Sequence, residues 1–321
     1  MLQVQSLSFA YDKQRVLESI NCEIKRGQVF AITGKSGCGK STLLSLIYGF
    51  LEPEKGFSLW NNKVIKPPSK KLVPGQKGIN ILNQEFDLMP YTSVASNVKK
   101  KLTRAEPDYN DKRCDKLLDV VGLLPFKDQF IKNLSGGQKK RVSIAKILAD
   151  DPELILLDEP FNYIDHQLKD ELRRRFFDHI KKQNITCLFV SHEKEEFLAF
   201  ADEVLVLSDQ HIIRSGSPEN IYEYPIYAKV AQLFDDVNIL EFEKDQQVAI
   251  YPHELKTSTE SHTDIRVELK ETYYRGIDYL NKGYSSKYHQ PIFFTSDKSL
   301  QKNSNYHLKI VSQKAIKRNV V

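Results

Sequence analysis

The chain has 321 residues, a formal net charge of +5 at pH 7, and 40% hydrophobic and 28% charged residues. That balance fits a globular protein of one large domain plus a small one and excludes a disordered or low-complexity chain. No stretch reaches the roughly 18 apolar residues of a membrane-spanning helix. Residues 1–11 alternate polar and apolar side chains without a signal peptide's basic start and apolar core, so a cytosolic protein is expected. The mild basic excess suits an anionic partner, either a nucleotide or a membrane surface. Cys22, Cys38, Cys114 and Cys187 show neither CxxC nor metal-ligand spacing and read as free thiols.

In chain order, alternation predicts a strand over 2–11, and the apolar run 29–33 predicts a buried one. A glycine-rich loop follows, then a helix over 40–48. Residues 63–78, rich in Pro and Lys, read as a surface loop. A short strand is expected over 79–82, with helices over 93–102 and 111–121. Beyond these come a helix over 136–149, a core strand over 154–157, a charged amphipathic helix over 166–182 and a core strand over 185–190. Residues 204–207 and 211–214 read as a hairpin. Composition shifts after about Phe234, and 235–236 and 244–247 look linker-like. The runs 248–251, 265–269, 277–280, 292–295 and 306–311 then predict a small β-barrel or sandwich.

The first chemical motif is the loop Gly34, Lys35, Ser36, Gly37, Cys38, Gly39, Lys40, Ser41, continued by Thr42. Its glycines let backbone amides turn inward and form an anion nest at a helix N-terminus. Lys40 is expected to bridge the β- and γ-phosphates of a nucleotide and Ser41 to ligate Mg²⁺. Cys38, beside those amides, is either a tolerated small residue or a thiol of lowered pKa. The second motif is Asp158-Glu159 at the end of an aliphatic strand. Two adjacent carboxylates can divide the labour: Asp158 holds the metal through water, and Glu159 orients or deprotonates the attacking water. The third is Leu134-Ser135-Gly136-Gly137-Gln138, a hydroxyl and bare amides opening a helix, which suits a γ-phosphate. Two phosphate-binding turns that open different helices cannot cradle one nucleotide within one compact domain. Gln84 follows the 79–82 strand; an amide there can touch Mg²⁺ or the lytic water, but the glutamine alone carries no signal. His192, just past the 185–190 strand, is either a γ-phosphate sensor or an ordinary helix-start histidine.

In this order and at these separations the three motifs resemble the ATP-binding cassette (ABC) ATPases, over roughly residues 2–220. The resemblance implies an α/β P-loop fold with a helical subdomain at about 86–150. It also implies a head-to-tail dimer, a homodimer in the simplest case, with two ATP molecules sandwiched between copies. In such an arrangement Ser135, Gly136, Gly137 and Gln138 serve the partner's nucleotide. It assigns His192 to the γ-phosphate, Tyr11 to stacking on adenine rather than strand-end packing, and Asp165 to a contact across the dimer. The segment 86–94 resembles the loop by which importer ATPases contact their membrane subunits.

Residues 217–234 and 248–254 resemble the junction and entry of the C-terminal regulatory barrel (TOBE type) carried by some importer ATPases. Tyr251 departs from the arginine common there. The resulting expectation is an ABC ATPase domain over 1–234 and a small all-β, OB- or TOBE-like barrel over 235–321. The function implied is ATP hydrolysis driving solute uptake through separate permease subunits, together with a solute-binding protein and without nucleic acid. The protein would be peripheral on the inner face of the cell membrane. The alternatives are an exporter's ATPase subunit and a soluble ABC ATPase outside transport.

Overall fold

The computed structural model describes residues 1–82, 87–102, 106–243, 246–259 and 265–321. They form two compact units, Met1–Pro218 and Glu219–Val321. In the first, the hairpin of β1 (Leu2–Tyr11) and β2 (Gln14–Ile24) leads to β3 (Val29–Thr33), whose residues are all buried. Helix α1 (Lys40–Tyr48) follows, then β4 (Lys55–Trp60), β5 (Lys63–Val64) and β6 (Ile79–Leu82). Helices α2 (Val94–Lys99), α3 (Pro107–Val120) and α4 (Gly136–Ala149) pack on one another. The chain then alternates through β7 (Leu154–Asp158), α5 (His166–Lys182), β8 (Thr186–Val190) and α6 (Lys194–Phe200), and closes on the hairpin β9 (Glu203–Ser208) and β10 (His211–Gly216).

Two sheets result. One has the order β2-β1-β4-β5 and is antiparallel; the other is β10-β9-β3-β8-β7-β6. In the second sheet β9, β3, β8, β7 and β6 run parallel, and β10 alone is antiparallel. The parallel strands read as unbroken apolar runs because both their faces are covered. Leu43, Leu44, Leu46 and Ile47 of α1 join residues of both sheets, Trp60 among them, in a single core. An aromatic cluster of Phe161, Phe176, Phe177 and Phe189 fastens α5 and the turn after β7 to β8.

The second unit begins within α7 (Pro218–Glu223) and carries α8 (Ala228–Ala231), β11 (Asn238–Glu243), β12 (Gln246–Ile250), β13 (Leu255–Ser258) and β14 (Ile265–Tyr274). After these come β15 (Tyr279–Ser285), β16 (Gln290–Ser296), β17 (Asn305–Ile310), α9 (Gln313–Ile316) and β18 (Asn319–Val320). Its sheets have the orders β11-β12-β18 and β13-β17-β14-β15-β16, and the outer strands β13 and β16 of the larger sheet approach each other. Leu240, Val248, Ile250, Val267, Phe294 and Leu308 join both sheets in one core. Gln246 and Gln247, linker-like by composition, open β12, because pairing with β11 overrides polar propensity. The expected strand over 277–280 begins two residues late, and Ile277 is an exposed turn residue. Tyr251 is fully buried, stacked on Tyr222 and lying under Arg318, which makes a buried ion pair with Glu254.

Near its C-terminus α5 holds His179, where the helix dipole would favour a cation. Burial wins: it pushes the imidazole down to about 4, helped by the neighbouring charges of Lys116, Arg113 and Lys182. The unfolded chain therefore takes up this proton first. The stability tied to neutral His179 is complete above pH 6.5, its ordinary value, and is lost as the pH falls towards about 4. Replacing His179 with Gln should flatten the decline in urea midpoint between pH 7 and pH 5. An unchanged slope would remove His179 from the account.

Candidate nucleotide-hydrolysis site

The register of the parallel strands builds the site. Asp158 on β7 lies beside Val190 on β8, which lies beside Ile32 on β3. The segments leaving these strands therefore emerge at one sheet edge: the glycine loop, Glu159, and Ser191-His192. That carboxyl edge is where open α/β sheets bind ligands.

The glycine loop needs its glycines. Gly34, Gly37 and Gly39 all have positive φ. A Cβ on Gly34 would meet the Leu207 carbonyl at 2.2 Å, and one on Gly39 would press Leu17 at 2.9 Å. Gly39 stands in left-handed conformation immediately before α1, so the loop turns directly into the helix N-terminus. Lys40 is buried, and its ammonium donates to the Gly34 and Lys35 carbonyls, at 2.9 Å each. The cation is thus held across the mouth of its own loop. The Cys38 thiol is pushed up by burial, with Lys40 pulling the other way, so it is not an activated thiolate.

Asp158 ends β7 almost wholly buried. Burial pushes its carboxyl above the ordinary carboxylate range, against the hydrogen bond from Ser41 and the charges of Lys140 and Lys40. Its Oδ1 is buried and has no hydrogen-bond partner. A buried carboxylate oxygen left unpaired beside a serine hydroxyl is a donor set suited to Mg²⁺, a hard cation that takes oxygen ligands and relies on substrate phosphates for others. Among the described residues there is no group of three or more His, Cys, Asp or Glu side chains that would hold a metal by themselves.

Glu159 has φ 47°, a left-handed conformation that a non-glycine residue keeps only when its surroundings impose it. Its N–H donates to the Val190 carbonyl at 3.2 Å. Asn162 donates its side-chain amide to Glu159 Oε2, and His192 Nδ1 lies 3.3 Å from Oε1. The carboxylate is thus aimed by groups on both sides. Behind His192, Arg173 of α5 pairs with Glu193 and with buried Glu196 at 2.5 Å. Burial raises Glu193, but hydrogen bonds from Lys169 and Arg173 outweigh it and hold the carboxyl below its ordinary value. This network ties α5 to the start of α6 beside the histidine.

Ser135 caps α4 in a capping box: its hydroxyl accepts from Gln138 N at 3.2 Å, and Gln138 Oε1 accepts from Ser135 N at 2.9 Å. The serine O–H remains a donor. A Cβ on Gly136 would meet open space, whereas one on Gly137 would lie 2.7 Å from the Tyr163 carbonyl. Gly137 is therefore fixed by contact with the turn after Glu159, a reason the sequence does not show. Tyr163 itself is 87% exposed. Asp165 caps α5 by accepting from Gln167 N. Tyr11 is exposed at the end of β1, edge-on to Phe9. Gln84 and Phe86 lie outside the described residues. The rest of the 86–94 segment wraps the buried Asn97 side chain, which bonds Met89, Thr92 and Ser93, and it leaves Tyr91 exposed.

Residues 17–162 match the family model described as ABC transporter. The cbiO1 protein of Clostridium perfringens, described as part of the ABC transporter complex cbiONQ, is 31% identical over 69% of this chain and 90% of its own, with a TM-score of 0.60. The chain belongs to the ABC transporter ATP-binding family. It is an ATPase that binds ATP, the ATP-binding subunit of a transporter. Its fold is shared with the dimeric post-hydrolysis state of the ATP-binding cassette MJ0796 bound to ADP and Pi (23% identity, TM-score 0.58, 68% of this chain and 99% of that one). It is shared too with a bacterial Atm1-family exporter with ATP bound (21% identity, TM-score 0.63, 73% of this chain and 41% of that one). Among the described residues no helix is long and apolar enough to cross a membrane.

Asn162, Lys140 and Asn97 were not singled out by sequence. Asn97 and Asn162 carry no local signal, and Lys140 is one of three consecutive basic residues, Lys139, Lys140 and Arg141.

The two signature glycines should separate in stability. Gly137→Ala forces a backbone clash and should cost about 1–3 kcal/mol, while Gly136→Ala should be neutral or stabilising by up to about 1 kcal/mol. Urea midpoints followed by Trp60 fluorescence give the comparison; equal midpoints would contradict the packing described.

Proposed function

We propose that the chain is the ATP-hydrolysing subunit of an importer, working as a dimer, in the simplest case a homodimer, beneath separate permease subunits. The observation that carries the hydrolytic part is Glu159, held strained and aimed between Asn162 and His192 at the edge where the Lys40 loop emerges. Lys40 leaves the loop carbonyls for the β- and γ-phosphates, and Ser41 and Asp158 hold Mg²⁺, with Gln84 as a further contact. Bound ATP supplies the phosphoanhydride to be cleaved, and Mg²⁺ supplies countercharge to its phosphates. Glu159 accepts a hydrogen bond from the attacking water and takes its proton. His192 keeps Glu159 oriented and follows the γ-phosphate. Tyr11 stacks on the adenine.

Ser135, Gly136 and Gly137, with open space around Gly136, serve the nucleotide of the second copy, and Asp165 contacts that copy. The relative described as part of a transporter complex supports membrane-subunit partners. The exposed segment around Tyr91 is the surface we propose for that contact, with the protein peripheral on the inner face of the cell membrane. The importer direction, with a solute-binding protein, rests on the second unit. Its five-stranded sheet has outer strands that approach each other, as a TOBE-like barrel over 235–321 requires. In this reading 1–234 is the ATPase domain.

Lys40→Ala should lower ATP turnover by at least about 10³-fold, since it removes charge stabilisation from the transferred phosphoryl group. Glu159→Gln should lower it by at least about 10²-fold and accumulate an ATP-bound dimer on size-exclusion chromatography. A Glu159→Gln protein that stays monomeric and turns over normally would end this reading. Vesicles carrying the co-purified permease settle direction: ATP-driven uptake supports the importer, and extrusion supports an exporter.

A further inference from the structure

The peptide plane joining Asp158 to Glu159 is held at both of its polar ends. Its N–H, on Glu159, donates to the Val190 carbonyl at 3.2 Å. Its C=O, on Asp158, accepts from Lys140 Nζ at 3.4 Å. Lys140 lies on the first turns of α4, two residues past Gln138, and is 3% exposed. A buried ammonium is expensive unless it is hydrogen-bonded and faced by opposite charge. Here the facing charges are the Asp158 and Glu159 carboxylates themselves. The orientation of this one peptide decides whether Glu159 keeps φ 47° and so where its carboxylate points.

We propose that Lys140 is a positioning residue for hydrolysis: it clamps the Asp158–Glu159 peptide plane from the signature helix and so holds Glu159 in its strained, productive conformation. The proposal rests on the reading of Glu159 as the residue that activates water. The same helix begins at Ser135, and Gly137 packs against the Tyr163 carbonyl in the turn after Glu159. One rigid element therefore touches this turn at two points, through Lys140 before Glu159 and through Gly137 after it. A displacement of α4 on engaging a second copy's nucleotide would move the carboxylate of its own chain. This gives the family's signature segment a second task, in cis.

The test is a double-mutant cycle of Lys140→Met and Glu159→Gln in the full chain, read by steady-state ATPase kinetics and by binding of a fluorescent ATP analogue. Lys140→Met should lower kcat by about tenfold or more, the scale of a small misplacement of a reacting group. KM for ATP and analogue affinity should stay within about twofold, as for a group that acts only on the chemical step. In the Glu159→Gln background the same substitution should change residual turnover by less than about twofold, since coupled residues are not additive. Lys140→Gln, which keeps an amide donor, should recover part of the loss. It also carries the cycle if Lys140→Met does not fold. A folded Lys140→Met with normal kcat beside an inactive Glu159→Gln would overturn the clamp alone. Fully additive losses would also overturn it, by reducing Lys140 to general support. Normal turnover by Glu159→Gln would instead sink the catalytic reading on which the clamp depends.

Discussion

Every part of the site depends on one constraint: β3, β8 and β7 run parallel and in register, so they end at one edge. That register puts Ile32, Val190 and Asp158 side by side. Residues distant in sequence then become neighbours without any loop having to travel. The aliphatic burial of these strands supplies the rigidity, and their carboxyl ends supply the place where polar backbone and charged side chains can face a ligand.

Against that edge, charge is buried in an ordered way. Asp158 and Lys140 are buried together, and Lys40 is held by carbonyls of its own loop. Arg173 and Glu196 pair behind His192. Isolated, each would cost several kcal/mol; paired, they fix geometry. The Oδ1 of Asp158 is the exception, a buried acceptor with no protein partner, and in the proposed reading it belongs to the metal. Strain follows the same logic. Glu159 keeps an unfavourable φ because hydrogen bonds on either side of its peptide leave it no alternative.

The second unit obeys a different economy. One shared apolar core joins its two small sheets. Its largest buried polar feature is Arg318, paired with Glu254 over the Tyr251 ring. Tyr251, a departure from the arginine expected at that position, is filled by stacking on Tyr222, and the buried guanidinium nearby comes from Arg318.

The sequence by itself determined the P-loop, the Asp158-Glu159 strand end and the signature turn. Each is a local motif whose chemistry is written in consecutive residues. It also determined the buried strands, because long apolar runs between turn residues admit little else. It could not show Gln246 and Gln247 pairing with β11, since strand pairing is non-local and overrides composition. Nor could it show that Gly137 is demanded by the Tyr163 carbonyl, that Asn162 aims Glu159, or that Lys140 reaches the Asp158 carbonyl from a helix 18 residues upstream. Those contacts are decided only when α4 is laid against the end of β7. Whether a buried lysine is a cost or a clamp depends on what faces it, and that is a property of the packed chain alone.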